Sequence, residues 1–133
     1  MKYLLDTHVF LWSISNPKEL TKKAISIIKN PENEIYVSAI SLWEIAIKTR
    51  LNKLEIKGIG IEELPDVIEK MDYEVMSMTP EDAIEYAHLA EDTHKDPFDR
   101  MLIVQSISRN MTMISKDSQF GKFTRFGLKL IWE

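Results

Sequence analysis

The sequence predicts an α/β fold, a three-layer α/β/α sandwich with a central, mainly parallel sheet of about four to five strands. Two observations support this prediction. Short apolar runs of strand length alternate with helical segments along the whole chain. The length of 133 residues, with 44% hydrophobic and 29% charged side chains, suits a single domain over residues 1–133 that buries a core without disulfides.

Five runs of apolar and β-branched residues have the length of strands. Helical segments separate them, and strands connected through helices usually pair in parallel. The predicted strands are Lys2–Leu5, Glu34–Val37, Tyr73–Met78, Met111–Ile114 and Leu128–Trp132.

Helices are predicted where a capping residue or a proline precedes an amphipathic or apolar segment. After Ser38, the residues Ile40, Trp43, Ile47 and Leu51 recur at helical spacing, so we expect this stripe to face the core. The predicted helices are His8–Ile14, Leu20–Lys29, a helix from Ser38 to about Leu51, Ile61–Met71, Ala83–Asp92 and Phe98–Arg109.

Charge is distributed unevenly along the chain. The net charge is +3 over residues 1–59, −11 over residues 60–99 and +4 over residues 100–133. Two basic flanks form a surface for nucleic acid only if the fold brings them together. A solvated pair of acidic helices explains part of the same pattern.

The composition excludes several classes of site. The chain has no cysteine, which rules out disulfides, zinc–thiolate centres and cysteine nucleophiles. The apolar N-terminal run reaches Asp6 too early for a signal peptide, and no segment approaches the length of a membrane span. We therefore expect a cytoplasmic protein.

Two acids directly follow predicted strands. Asp6 ends the run Lys2–Leu5, and Asp117 comes shortly after Met111–Ile114. In parallel α/β sheets, ligands bind beyond the carboxyl ends of strands, so both acids are candidates for a functional site. Helix capping is the competing interpretation for each of them.

Glu44 lies within the apolar face predicted for the helix after Ser38. A carboxylate on a core-facing stripe is costly unless it is paired or bound to a metal. The alternative is that the helix begins at Ser41, where Ser41 and Glu44 would form a capping box.

Asp96 and Asp99 belong to a second acidic motif. Asp96, Pro97 and Asp99 together form a complete helix start, which explains Asp96 as a cap. The following helix is apolar around most of its circumference and is therefore expected to be buried. Asp99 should then face the interior at the helix N-terminus.

If the sheet is parallel, the four acids Asp6, Glu44, Asp99 and Asp117 converge at one edge. Clustered carboxylates raise one another's pKa, so such a cluster needs a cation. An all-oxygen site favours hard ions such as Mg²⁺ or Mn²⁺, which promote phosphodiester hydrolysis. The residues alone therefore predict a metal-dependent phosphoesterase.

Four motifs carry a resemblance that spans nearly the whole chain. They are LLDTHVFLW at residues 4–12, VSAISLWEIAIK at 37–48, HKDPFDRMLIVQS at 94–106 and ISKDSQF at 114–120. Together, and in this order, they resemble the PIN-domain ribonucleases, specifically the VapC-type toxins of bacterial and archaeal toxin–antitoxin pairs.

The resemblance implies a metal-dependent endoribonuclease whose acidic quartet is Asp6, Glu44, Asp99 and Asp117. It makes Asp6 and Asp99 the first candidates for direct metal ligands and leaves open whether one or two ions bind. It also implies a cognate antitoxin and a homodimer. Auxiliary roles fall to Thr7, Ser115 and Asp96. Independently of the resemblance, five cations lie near the acids in the sequence and are candidates to contact RNA phosphates, namely Lys48, Arg50, Lys53, Arg100 and Lys116.

Other classes of protein fit less well. A haloacid-dehalogenase phosphatase needs a second acid where this chain has His8, and a response-regulator receiver domain needs an Asp directly after Tyr73–Met78. The three histidines are too scattered for a zinc site. A non-catalytic interaction module, in which the acids only cap helices, remains the alternative from another class.

Overall fold

The central sheet contains five strands that all run parallel. The computed structural model describes residues 1–133 and gives the strand order β3-β2-β1-β4-β5. The predicted parallel sheet is therefore confirmed. Its strands are β1 (Lys2–Leu5), β2 (Glu34–Ser38), β3 (Glu74–Met76), β4 (Thr112–Ile114) and β5 (Lys129–Ile131).

Six α-helices connect the strands, together with four 3₁₀ segments. Most begin where the sequence places a capping residue; Thr21, for example, accepts a hydrogen bond from the amide of Ala24. The helices are α1 (Thr7–Ser15), α2 (Lys22–Lys29), α3 (Ala39–Arg50), α4 (Leu64–Lys70), α5 (Pro80–Glu85) and α6 (Pro97–Ser108). The 3₁₀ segments are Pro17–Glu19, Ile61–Glu63, Tyr86–His88 and Ser118–Phe126.

The core lies on both faces of the sheet. Tyr3 and Leu5 of β1 belong to one apolar cluster, whereas the intervening Leu4 belongs to a second. Leu4 and Leu5 are both fully buried, as expected when helices cover the two faces toward which alternate strand residues point. The three-layer arrangement is thus confirmed. None of the helices has the length and apolar character needed to cross a membrane.

The predicted helix Ala83–Asp92 is wrong in its second half. The α-helix ends at Glu85, a 3₁₀ turn covers Tyr86–His88, and the chain then becomes irregular. The carbonyls of Leu89 and Glu91 accept hydrogen bonds from the guanidinium of Arg100 instead of from helical amides. The side chain of Arg100, from the following helix, therefore provides the hydrogen bonds that these two carbonyls need.

The apolar stripe predicted for α3 is wrong at Trp43 and Leu51, although Ile40 is buried as predicted. Trp43 is 58% exposed and Leu51 56% exposed, whereas Ser41 and Glu44 are buried together with Ile45. The reason is that α3 packs against both α1 and α6, and the face in contact includes the polar residues that meet Thr7 of α1. Glu44 is inward-facing as predicted, but on a different face from Trp43.

Candidate active site

The carboxyl ends of β1 and β4 meet at one edge of the sheet. Leu5 pairs with Ile114, and the amide of Asp6 donates to the carbonyl of Ile114 over 3.1 Å. Asp6 and Ser115 therefore emerge side by side, and Asp117 follows two residues later. This is the edge at which parallel sheets bind ligands.

Asp6 is a buried residue that also caps a helix. Its Oδ1 accepts a hydrogen bond from the amide of Val9 over 2.8 Å, and its Oδ2 accepts one from the hydroxyl of Ser115. Burial raises the pKa of Asp6, and the nearby carboxylate of Asp117 adds to that rise. Capping and a central place in the site are thus compatible for this acid.

Ser115 connects the first acid to the last. Besides donating to Asp6, its Oγ accepts the amide of Asp117 over 3.1 Å. The side chain of Asp117 is exposed and accepts the amide of Gln119 over 2.8 Å at the start of the last 3₁₀ segment. The predicted auxiliary residue Ser115 therefore lies between the two acids.

Glu44 is held at both carboxylate oxygens. Oε1 accepts the hydroxyl of Thr7 over 2.8 Å, and Oε2 lies 2.7 Å from the ammonium of Lys48. Helix α3 begins at Ser38, whose hydroxyl accepts the amide of Ile40, so the capping-box alternative with Ser41 is wrong. Thr7 follows Asp6 directly and thereby links the first acid to the second.

Asp99 lies in the first turn of α6, and its side chain is a quarter exposed. Asp96 caps this helix through the amides of Phe98 and Asp99, as its motif predicts. Burial raises the pKa of Asp99 to about 6, and the carboxylates of Asp96 and Glu44 contribute to the rise. The charge of Glu44 is therefore felt by Asp99.

His94 is a site residue that the sequence analysis missed. Its Nε2 lies 2.9 Å from Oδ2 of Asp99. The scattered positions of the three histidines argue against a zinc site, but they carry no information about a single histidine beside a carboxylate. The available signal was the position of His94 five residues before Asp99 in the motif HKDPFD.

The candidate RNA-contacting cations fall into three groups. Arg50, Lys53 and Lys116 are exposed, and Lys48 is bound to Glu44. Arg100 is buried, and its guanidinium donates to the carbonyls of Leu89, Glu91 and His94. The structure therefore contradicts the prediction that Arg100 contacts RNA, because the guanidinium is buried and three of its donors bind backbone carbonyls.

The acids provide a suitable donor set for a hard cation, but not a complete cage. No three acidic or histidine side chains converge closely enough to form a metal site by themselves. Mg²⁺ keeps several waters and often contacts only one or two carboxylates directly, so such a cage is not required. Asp6 and Asp99 suit this role because each has a pKa raised by burial, which a bound cation would relieve.

The raised pKa of Asp99 predicts a pH-dependent loss of stability when no divalent metal is present. The folded state holds this proton up to about pH 6, whereas an unfolded Asp releases it near pH 4, so stability falls as pH rises between them. Asp99→Asn should reduce that fall by about 2 kcal/mol, measured by urea unfolding at about pH 4 and about pH 7. The exposed Asp92→Asn serves as the control, and an unchanged pH profile in Asp99→Asn would contradict the prediction.

Comparison with known proteins agrees with this geometry. The model of the PIN domain family matches residues 3–125. Ribonuclease VapC22 from Mycobacterium tuberculosis is 26% identical over 114 residues, which cover 86% of this chain and 85% of the relative.

Three solved structures share the fold at low sequence identity. VapBC2 from Rickettsia felis, bound to a promoter DNA fragment, has a TM-score of 0.69 at 20% identity, with full coverage of both chains. VapBC-1 from nontypeable Haemophilus influenzae also has 0.69, at 17% identity, covering 98% of this chain and 97% of that one. VapBC-5 from Mycobacterium tuberculosis, a member of the VapBC family of toxin–antitoxin systems, has 0.61 at 18% identity, covering 99% and 98%. Since the family model spans nearly the whole chain, this protein belongs to the PIN domain family.

Proposed function

We propose that this protein is a divalent-metal-dependent endoribonuclease that acts as the toxin of a toxin–antitoxin pair. One observation carries the catalytic part of the proposal. Two acids with pKa values raised by burial, Asp6 and Asp99, accompany Glu44 and Asp117 at the carboxyl edge of a parallel sheet. Buried carboxylates whose pKa values are raised further by neighbouring carboxylates are characteristic of a cation-binding active site rather than of a structural surface.

The chain's own residues hold these acids in defined positions. Asp6 is fixed by the amide of Val9 and the hydroxyl of Ser115. Glu44 is fixed by Thr7 and Lys48, so its carboxylate cannot rotate freely. We assign Asp6 and Asp99 as direct ligands, and Glu44 and Asp117 as acids that act through bound water.

Mg²⁺ or Mn²⁺ bound at Asp6 and Asp99 would polarise the scissile phosphate and lower the pKa of an attacking water. The exposed cations Arg50, Lys53 and Lys116 are available to contact phosphates on either side of the cleavage site. Such contacts position a nucleic acid without reading its sequence. Binding is therefore expected to weaken as salt concentration rises.

The substrate and the partners are inferred from the relatives. The name of VapC22 supports RNA as the substrate, and VapBC-5 belongs to a family of toxin–antitoxin systems. We extend both features to this chain, together with a cognate antitoxin, a cytoplasmic location and a homodimer. Light scattering of the purified protein tests the homodimer, and a mass equal to one chain would overturn it.

The proposed activity predicts divalent-metal-dependent cleavage of single-stranded RNA. The purified protein should cut RNA with Mg²⁺ or Mn²⁺ and lose this activity in EDTA, because the carboxylates need a cation to act on a phosphate. A DNA oligonucleotide of the same sequence should remain intact. Gel analysis of end-labelled substrates measures both reactions.

Three outcomes would contradict the proposal in different ways. Cleavage that persists in EDTA would remove the metal from the mechanism. Equal cleavage of DNA would replace the ribonuclease by a general nuclease. An intact RNA at every metal concentration tested would favour the alternative of a non-catalytic interaction module.

A further inference from the structure

The segment between α5 and α6 is organised around Arg100. Residues 89–95, here called the His94 loop, contain no helix or strand. The guanidinium of Arg100 donates to the carbonyls of Leu89, Glu91 and His94, and the arginine itself is 9% exposed. A buried guanidinium with three carbonyl acceptors fixes the course of a loop, because moving the loop would leave its donors unpaired.

Glu91 fixes the same loop from within. Its carboxylate accepts the amide of Thr93 over 2.9 Å and the amide of His94 over 2.8 Å. The backbone of His94 is thus held on both sides, since its amide donates to Glu91 and its carbonyl accepts from Arg100. Because side chains hold both of its backbone groups, the position of His94 in the loop is fixed.

The imidazole of His94 is restrained as well. Its ring meets Phe120 and Phe123 in edge-to-face contacts, with centroid distances of 5.6 and 5.7 Å. Its side chain is 11% exposed. Packing of this kind selects one orientation of the ring, and in that orientation Nε2 lies 2.9 Å from Oδ2 of Asp99.

We propose that His94 is a positioning residue that holds the carboxylate of Asp99 by donating from Nε2 to Oδ2, so that Oδ1 would be available to a divalent cation. The inference rests on the proposed function, in which Asp99 binds that cation. The first turn of α6 contacts the His94 loop twice. Asp99 binds the imidazole of His94, and Arg100, the next residue, binds the carbonyl of His94. A carboxylate fixed in this way binds metal without first losing rotational freedom.

A pair of substitutions separates positioning from packing. His94→Phe keeps an aromatic ring between Phe120 and Phe123 but has no donor for Asp99. His94→Gln provides an amide donor in a similar place and is expected to restore part of the function. His88→Gln is the matched control, because it replaces an exposed histidine in the neighbouring 3₁₀ turn that makes no contact with Asp99.

The measurements are the Mn²⁺ dissociation constant from isothermal titration, the melting temperature, and kcat and KM for RNA. We expect His94→Phe to weaken Mn²⁺ binding by about 10- to 100-fold, with His94→Gln in between and His88→Gln like the wild type. The melting temperature of His94→Phe without metal should change little, and saturating Mn²⁺ should recover much of its kcat while KM for RNA stays the same. In the wild type, ¹⁵N spectra should show a protonated Nε2 on His94.

The opposite pattern would overturn the positioning role. If folded His94→Phe binds Mn²⁺ as tightly as the wild type, His94 does not position Asp99. A lower melting temperature of that variant would then show that His94 only packs. If the wild type binds Mn²⁺ but leaves RNA intact, the proposed ribonuclease activity is refuted. The positioning role is still tested in that case, because the Mn²⁺ dissociation constants of the variants can be compared with that of the wild type. A wild type that binds no Mn²⁺ would refute both.

Discussion

Asp6→Asn is expected to lower the rate of RNA cleavage by more than about 100-fold while the protein stays folded. The asparagine oxygen can still accept the amide of Val9, so the cap of α1 is retained, and the asparagine NH₂ can donate to the hydroxyl oxygen of Ser115 where Oδ2 of Asp6 accepted. Its amide carries no charge, and it therefore removes a ligand for the cation. Initial rates of cleavage at saturating Mg²⁺ measure the effect.

The same variant should also change how stability responds to metal. Because burial raises the pKa of Asp6, the ionised form is unfavourable in the metal-free protein. Asp6→Asn should accordingly melt at the same temperature as the wild type or higher without metal, and it should gain less stability when Mg²⁺ is added. The exposed Asp66→Asn on α4 is the control, and equal cleavage in Asp6→Asn and Asp66→Asn would refute the assignment of Asp6.

Arg109→Ala is expected to destabilise the fold by about 3 kcal/mol. The two Nη atoms of Arg109 lie 2.9 Å from the two oxygens of Asp82, whose side chain is only 5% exposed. Asp82 also accepts the amide of Thr79 and the side chain of Gln105, which in turn accepts the hydroxyl of Ser38 at the start of α3. Removing the arginine leaves a buried carboxylate without its cation, and urea unfolding at neutral pH measures the loss.

The pH dependence of stability checks the cause of this effect. Burial alone would raise the pKa of Asp82, but the hydrogen bonds from Arg109 and the amide of Thr79 hold it at about 2. Since an unfolded Asp titrates near pH 4, this stabilisation is complete above about pH 4 and is lost as pH falls toward about 2. Arg109→Ala should show a smaller loss in that range, whereas the exposed control Arg125→Ala should match the wild type within about 0.5 kcal/mol.

Capping motifs made several elements predictable from local sequence. Ser38 caps α3, Asp96 caps α6, and Thr79 with Asp82 forms a capping box at α5. In each case the interaction joins residues within three positions, so the sequence contains both partners. The same locality made Asp6 and Asp117 recognisable as acids just beyond strands.

Long-range contacts account for the predictions that were wrong. Helical spacing placed Trp43 in the core, but α1 and α6 contact the neighbouring face of α3. The predicted helix through Asp92 is interrupted because Arg100 bonds to its carbonyls. The prediction that Arg100 contacts RNA is wrong for the same reason, because the residues next to it in the sequence do not show that its guanidinium is buried.

By itself, the sequence determined the parallel α/β fold and the candidate set of four acids, because strand length, helix capping and charge on an apolar segment are local properties. Only the tertiary structure decided how those acids are held. Ser115 is 109 residues from Asp6 in the sequence, and Thr7 is 37 residues from Glu44. Their hydrogen bonds form only when β4 packs beside β1 and α3 packs beside α1. His94 became visible in the same way, since its role depends on a ring orientation that packing against Phe120 and Phe123 sets.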